Sequence, residues 1–407
     1  MDRLFLERPN QANTGYKKPL DINLDFLAGS YKSKTVLGNL EVIDEDADMV
    51  ANLDKVLQIK PDLYEAWYNR SIVLVNLGSL EEAIANLDKA LAIKPDLYEA
   101  WFNRGIILGC LEQPEEALAS YDKALEIRSN KYEAWFNRGI TLYDLGCLED
   151  AISSFNKAIQ FKCNDYWSWY NLGIVLYDLG HFEEATNSFD KSIKLNPNIS
   201  KGWYCRGIAL GQLKRLQEAI ISFDKALEFK ADWYEAWKYR GITLRKLERF
   251  QEAIASFKKA IKIKSDDYRD WNNQGYMLLK LRNFEEAIAS FDKALELKPD
   301  YADAFYNKGC CYALQGDIEP AIYNLQKAIN LSPNQYLEVA KNDSNFDSIR
   351  ENGRFQALIQ TENYWEDEEE IDEQEWLKAA ASNPVFDFLK HPEEDIYTLA
   401  DGKPFND

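Results

Sequence analysis

Asparagine recurs in this chain at intervals of 34 residues, and its side-chain amide could bind another polypeptide. Four asparagines occupy successive intervals, Cys205 and Tyr239 stand in the next two, and asparagine then returns twice. The six positions are Asn69, Asn103, Asn137, Asn171, Asn273 and Asn307. An amide carries a donor and an acceptor together, so it can pair with both polar groups of a peptide unit without reading the side chain. Alternatively, these amides bind only water or each other.

The residue directly before this position is aromatic in the first five intervals. The row consists of Tyr68, Phe102, Phe136, Tyr170 and Tyr204. Aromatic residues in helices more often belong to the core than to a ligand site. A row beside amides would nevertheless suit an apolar side chain of a bound peptide, and both interpretations stay open.

Charged residues at neighbouring helical positions change sign along the chain. The early intervals contribute acidic residues only: Glu65, Glu99, Glu133, Asp144 and Asp178. The later ones contribute, against Glu235, the basic residues Lys201, Lys238, Arg245, Lys246, Arg269 and Lys280. Such a run is often a solvated surface, but a sign reversal along one groove would orient a ligand and raise its association rate.

Several functional classes are disfavoured. The chain has 2 histidines, no glycine-rich loop and no cluster with metal-ligand spacing, so we expect neither an enzyme nor a cofactor. A net charge of −20 argues against nucleic acid and anionic membranes. No signal peptide or transmembrane stretch is evident, which predicts a cytoplasmic protein. The 6 cysteines lack paired spacing and are interpreted as reduced thiols in small core positions, with a redox pair at Cys310 and Cys311 as the alternative.

The asparagines belong to a unit repeated eight times between Tyr64 and Gln335 without insertion or deletion. Apolar residues three or four apart predict two amphipathic helices per unit, and glycine or alanine marks where the two helices approach closely. The fourth place of the unit is held by Trp67, Trp101, Trp135, Trp169, Trp203, Trp237, Trp271 and Phe305. Proline follows the second helix in several units, since proline cannot continue a helix. A fixed period of this length predicts a solenoid of stacked units.

These residues resemble the signature of the tetratricopeptide repeat family, with Arg or Lys often replacing a Leu and Leu replacing a Tyr. The resemblance implies an all-α, right-handed superhelical solenoid of helix-turn-helix units whose first helices line a concave groove. The asparagine row resembles the ladder in the repeat domain of O-linked N-acetylglucosamine transferases. Relatives that bind chaperone C-termini through a carboxylate clamp need Lys at the fifth and Asn at the ninth position of one repeat. Here Lys238 occupies a fifth position, but Ile242 occupies the ninth position of the same repeat, which disfavours that role.

The sequence divides into five parts. Residues 1–45 are polar, and residues 46–63 fit a half-repeat N-terminal cap through Leu53, Val56 and Ile59. Residues 64–335 are the eight repeats, and residues 336–360 offer Phe346, Ile349, Phe355 and Leu358 as a C-terminal cap. Residues 361–407 form an acidic tail with 15 acidic and 3 basic residues, which we expect to be disordered. The part from residue 376 onward resembles the tails of some small bacterial antitoxin-type proteins.

These observations favour a protein-interaction adaptor that binds an extended peptide segment of a partner in the groove. One alternative is a regulatory or toxin-neutralising protein that acts through its acidic tail, which would fold back on the basic repeats. Another is a passive assembly scaffold with an empty groove. The sequence does not identify the partner.

Overall fold

The computed structural model describes residues 45–360, and every regular element within them is helical. These residues fall into two compact units, residues 45–283 and residues 284–360. The polar N-terminal segment and the acidic tail lie outside the described residues. No helix in the described range is long and apolar enough to cross a membrane.

The first unit begins with α1, Glu45–Ile59, and continues with alternating first and second helices of the repeats. The first helices are α2 Tyr64–Asn76, α4 Tyr98–Cys110, α6 Tyr132–Asp144, α8 Tyr166–Asp178, α10 Ser200–Gln212, α12 Tyr234–Lys246 and α14 Tyr268–Lys280. The second helices are α3 Leu80–Ile93, α5 Pro114–Ile127, α7 Leu148–Phe161, α9 Phe182–Leu195, α11 Leu216–Phe229 and α13 Phe250–Ile263.

The second unit contains α15 Phe284–Leu297, α16 Ala302–Gln315, α17 Ile318–Leu331 and α18 Pro333–Asn342. A 3-10 helix, Ser344–Ile349, and α19, Gly353–Ile359, follow. Within each unit consecutive helices pack pairwise as hairpins. The prediction of an all-α solenoid of helix-turn-helix units is therefore confirmed.

In repeats two to six the hairpin closes where an aromatic ring of the second helix packs on a glycine of the first. Tyr121, Phe155, Phe189, Phe223 and Phe257 are buried in this way. A methyl group added at Gly105 would lie 2.6 Å from a ring carbon of Tyr121. Real carbon atoms do not approach so closely, so only glycine permits this spacing of the two helices.

Hydrogen bonds from the repeated tryptophans tie each first helix to the loop before it. In seven repeats the indole Nε1 donates to a backbone carbonyl six residues earlier, over 2.8–3.1 Å. Phe305 has no such donor. The indole therefore packs its apolar part and also satisfies a carbonyl at the junction between repeats.

A cation at the seventh position joins neighbouring repeats, which the sequence analysis missed. Arg138, for example, donates from Nε to Asp122 on the preceding second helix and from Nη1 to Ser154 on its own second helix, both over 2.7 Å. Six repeats have the ion pair: Arg70–Asp54, Arg104–Asp88, Arg138–Asp122, Arg206–Asp190, Arg240–Asp224 and Lys308–Asp292. In the sequence, the constant spacing of 16 residues between the aspartate and the cation could have indicated this pair.

The pair is replaced on both sides in the other two repeats. In repeat four the cation is replaced by Leu172 and the preceding aspartate by Asn156, and in repeat seven they are replaced by Gln274 and Lys258. Because the cation and the aspartate are replaced together in both places, we infer that the two residues function as a pair.

α1 packs through Leu53 and Leu57, whereas Ile59 is 79% exposed. The expectation that the cysteines fill core positions is wrong for two of them. Cys147 and Cys163 are exposed rather than placed in the core, although Cys205, Cys310 and Cys311 are buried. Both cysteines lie in turns between helices, outside the apolar stripe. At the other end, Phe346, Ile349, Phe355 and Leu358 are all buried.

Replacing Gly105 with alanine should destabilise the array by about 1–3 kcal/mol, because the new methyl group displaces the buried ring of Tyr121. Gly109 lies in the same helix with nothing within 4 Å of an added methyl group. Gly109→Ala should therefore be neutral or stabilise by about 0.5–1 kcal/mol.

Urea denaturation, followed by circular dichroism and by hydrogen exchange of α4, would compare the two variants with the wild type. Equal destabilisation by both substitutions would show that helix propensity, rather than contact with the ring, controls this position.

Candidate functional site

The first helices of successive repeats contact one another within the first unit. Direct contacts join α4 to α6, α6 to α8, α8 to α10, α10 to α12 and α12 to α14. At 100° per residue, the second, fifth, sixth, ninth, twelfth and thirteenth positions of a first helix share one side. We call the side chains at these positions in α2 to α14 the first-helix face.

The asparagines of this face differ in exposure. Asn69 is exposed, and Asn137 and Asn171 are half-buried. The latter two donate from Nδ2 to the carbonyl of Glu133 and Trp167, four residues earlier in the same helix, over 2.9 Å. Among residues 45–360, no donor is bonded to Oδ1 of either side chain. Their amide oxygens therefore retain an acceptor for a ligand.

Asn103 is instead 6% exposed and donates from Nδ2 to the hydroxyl of Tyr68 over 3.1 Å. Asn273 is half-buried and accepts from Arg245 Nη1 over 3.1 Å. Asn307, in the second unit, is half-buried and has a side-chain or backbone partner. The six asparagines thus do not form a uniform row of equivalent amides.

Most of the aromatic row packs into the hairpins. Ring centroids of Phe102, Phe136, Tyr170 and Tyr204 lie 5.9–6.1 Å from the aromatic ring of the second helix in the same repeat. Phe102 and Tyr170 are buried, whereas Tyr68, Phe136 and Tyr204 are half-buried. The core interpretation therefore describes Phe102 and Tyr170, and the other three keep some exposed ring surface.

Two tryptophans that the sequence analysis did not single out extend the predicted aromatic row. Trp167 is 39% exposed and lies 5.0 Å from Tyr166 and 5.5 Å from Tyr170 between ring centroids. Trp233 lies 4.6 Å from Tyr204. Tyr204 also lies 6.0 Å from Tyr239. We call Trp167 together with this second group, Tyr204, Trp233 and Tyr239, the aromatic patch. The signal was present in the sequence, because Trp167 and Trp233 are tryptophans outside the repeated fourth place.

Part of the acidic end already has partners. Glu99 pairs with Arg128 over 2.5 Å, and Asp178 accepts a hydrogen bond from the hydroxyl of Tyr143 over 2.7 Å. Glu65 and Glu133 are half-buried, and Asp144 is exposed. The predicted acidic residues of the early repeats therefore differ in their exposure and in whether they already have a partner.

At the basic end, Lys201, Lys246, Arg269 and Lys280 are exposed. Two of these cations lie over tyrosine rings, Arg269 over Tyr268 at 5.4 Å and Lys280 over Tyr276 at 5.2 Å. Arg245 is half-buried in its bond to Asn273. The predicted change of sign along the sequence thus includes exposed cations in repeats five to seven.

The repeat units match known family profiles. Two profiles described as Tetratricopeptide repeat match residues 98–131, 166–199, 188–221, 234–267, 268–301 and 302–335, and one described as TPR repeat matches residues 73–109 and 141–180. Together these matches cover more than half of the chain. The chain belongs to the tetratricopeptide repeat (TPR) family.

Solved TPR structures resemble this one. The C-terminal part of a TPR repeat-containing protein from Cytophaga hutchinsonii matches with a TM-score of 0.53 and 20% identity, over 59% of this chain and 98% of its own. A TPR protein from Parabacteroides merdae has a TM-score of 0.45 and 20% identity, over 60% and 97%. YrrB, described as a TPR protein with an unusual peptide-binding site, has a TM-score of 0.44 and 28% identity, over 47% and 99%. No curated protein matches in sequence.

Lys238, predicted to face a ligand, lies in a polar cluster between TPR repeats six and seven. Its Nζ is 2.6 Å from Asp267 Oδ2 and 3.7 Å from Asp270 Oδ1. The hydroxyl of Tyr234 lies 2.9 Å from Asp267 Oδ2 and 2.7 Å from Asp270 Oδ2. Lys264 lies over the Tyr234 ring at 5.4 Å. Lys238 therefore joins two TPR repeats through this cluster.

Asp270 is fully buried, and its Oδ1 has no hydrogen-bond partner among the described residues. Burial raises the pKa of its carboxyl to about 6, against the attraction of Lys238. Burial is also the largest influence on Asp267 and acts in the same direction. The hydrogen bond and charge of Lys238, with hydrogen bonds from the Arg269 N–H and the Tyr234 hydroxyl, together outweigh it and lower the pKa of that carboxyl. The two aspartates of one TPR junction therefore shift in opposite directions.

Asp270→Asn should gain stability relative to the wild type as the pH rises. The folded protein holds the Asp270 proton more tightly than the unfolded chain does, so this group stabilises most at low pH and loses that contribution as the pH passes about 6. The stability difference between variant and wild type should change by about 2–3 kcal/mol between pH 4 and pH 8. Urea titrations at several pH values measure it, and a pH-independent difference would contradict the assignment.

Proposed function

We propose that this TPR protein is an interaction adaptor that binds an extended segment of a partner protein along the first-helix face of repeats one to seven. TPR repeats serve protein–protein interaction, and among the described residues no group of three or more His, Cys, Asp or Glu side chains could hold a metal ion. The proposed contacts therefore come from binding groups rather than reactive ones.

The acceptor oxygens of Asn137 and Asn171 carry the proposal. The two residues lie on α6 and α8, which contact each other, and each amide nitrogen is held by its own helix. Fixing the nitrogen leaves Oδ1 in a defined position to accept a peptide N–H. Helices pack about 8–10 Å apart and an extended chain advances about 3.3 Å per residue, so one amide would meet about every third residue.

The aromatic patch and the charges would supply specificity. Trp167 lies in the same repeat as Asn171, and Tyr204 lies in the next one. Their exposed ring surface suits an apolar side chain of the segment. Acidic residues precede this patch and exposed cations follow it, so a segment with the complementary charges would bind in one direction. Burial leaves Asn103, Phe102 and Tyr170 to position neighbouring groups rather than to contact the partner.

Replacing Asn137 and Asn171 together with alanine should reduce recovery of the partner about tenfold, because two or more hydrogen bonds of about 0.5–1.5 kcal/mol each are lost. Quantitative mass spectrometry after affinity purification from the native cell measures the recovery. Circular dichroism should show unchanged helicity, since neither side chain joins two repeats by a hydrogen bond.

A matched control replaces two exposed asparagines of second helices, Asn156 and Asn187, with alanine. This control should retain the partner. Retention by the Asn137 and Asn171 variant together with loss in the control would refute groove binding and favour a scaffold that uses the outer helices.

A further inference from the structure

Repeats five to seven carry a concentration of exposed cations in a chain whose net charge is −20. We call Lys201, Lys246, Arg269 and Lys280 the basic patch. All four side chains are exposed and lie on the first-helix face. Several exposed cations on one face would attract an anionic segment.

The basic patch also offers aromatic surface. Tyr268 and Tyr276 support Arg269 and Lys280 at cation–ring distances of 5.4 and 5.2 Å. Tyr276 replaces the isoleucine found at the ninth position of repeats one to six. The half-buried Trp233, 4.6 Å from Tyr204, directly precedes repeat six. The surface therefore suits a segment that combines acidic and aromatic residues.

The chain itself contains such a segment immediately after the described residues. Residues 361–375 include 9 acidic and no basic residues, and Tyr364 and Trp365 directly precede the run Glu366–Glu370. Elsewhere the chain has both signs of charge interspersed, for example around the ion pairs of the seventh position. Charge and aromatic content thus match the basic patch better in this segment than in the repeats.

We propose that residues 361–375 bind the basic patch of the same chain. Glu366–Glu370 would pair with Lys246, Arg269 and Lys280, and Tyr364 and Trp365 would contact the neighbouring rings. Glu366 and Glu370 follow Gln360 by six and ten residues, so the extended chain carries them up to about 20–33 Å from that residue. Within that reach, attachment to the same chain would give the run an effective concentration of about millimolar, so weak contacts would suffice.

This interaction would make the adaptor self-inhibited. The acidic segment occupies the end of the first-helix face that would otherwise receive the acidic part of a partner. The inhibitory consequence rests on the proposed function, whereas the binding of the segment to the basic patch does not. Exposed charge pairs are screened by salt, so the segment should be released at high ionic strength.

Zero-length carbodiimide cross-linking of the full-length chain tests the contact. Cross-links from Glu366–Glu370 to Lys246 and Lys280 should exceed those to control lysines at least tenfold at low salt and fall to the control level in about 1 M salt, where the screening length is about 3 Å. Lys191 and Lys259, exposed on second helices, are matched controls. Mixing isotopically labelled and unlabelled chains should give links within one chain.

Cross-links at the control level, links that persist unchanged in salt, or links mainly between chains would overturn the proposal. A second measurement compares the rate at which an amine reagent modifies each lysine. Neutralising the run with E366Q, D367N, E368Q, E369Q and E370Q should raise the rate several-fold at Lys246 and Lys280 only.

An unchanged rate at Lys246 and Lys280, or an equal rise at Lys191 and Lys259, would refute a specific contact. Neither readout requires a partner. A failure here leaves the Asn137 and Asn171 experiment untouched, and the two proposals can therefore fail separately.

Discussion

The contact between a buried aromatic ring and a glycine sets the spacing of the two helices in repeats two to six. The ring of Tyr121, or the phenylalanine in its place, fills the space that a side chain would need at Gly105 and its counterparts. Because the ring is buried, it has no room to turn away, and the two helices are held at one separation. That separation fixes which residues of the first helix remain on the solvent side, and the first-helix face follows from it.

Between repeats, polar contacts complement this apolar packing. The cation of the seventh position reaches the aspartate of the preceding repeat and, for arginine in repeats two, three, five and six, a serine of its own. Repeats four and seven replace the pair on both sides, and they also carry Trp167 and Tyr276, two departures from the repeated pattern on the first-helix face. The regular array and the individual surface features are therefore carried by different positions of the same 34-residue unit.

Residues that the sequence period places on one helix face differ in how deeply they are buried. Asn103 shares its helical position with the exposed Asn69, and Lys238 was predicted on the same face. Each is nevertheless drawn into a contact with a neighbouring repeat, Asn103 with Tyr68 and Lys238 with Asp270. Asn137 and Asn171 keep an acceptor because their nitrogens are satisfied within their own helices. Of the six asparagines, the proposed binding surface therefore depends on Asn137 and Asn171 in repeats three and four.

The sequence by itself determined the helices, their pairing and the family, because a period of 34 residues and helical spacing of apolar residues depend only on local order along the chain. It also located the face that carries Asn137 and the cations, since 100° per residue fixes which positions share a side. Only the tertiary structure decided that Asn103 and Lys238 are engaged, that Asp270 is buried and that Ile59 is exposed. Those outcomes depend on which side chains of different helices come into contact. Packing between helices decides these contacts, and residue spacing within one repeat does not.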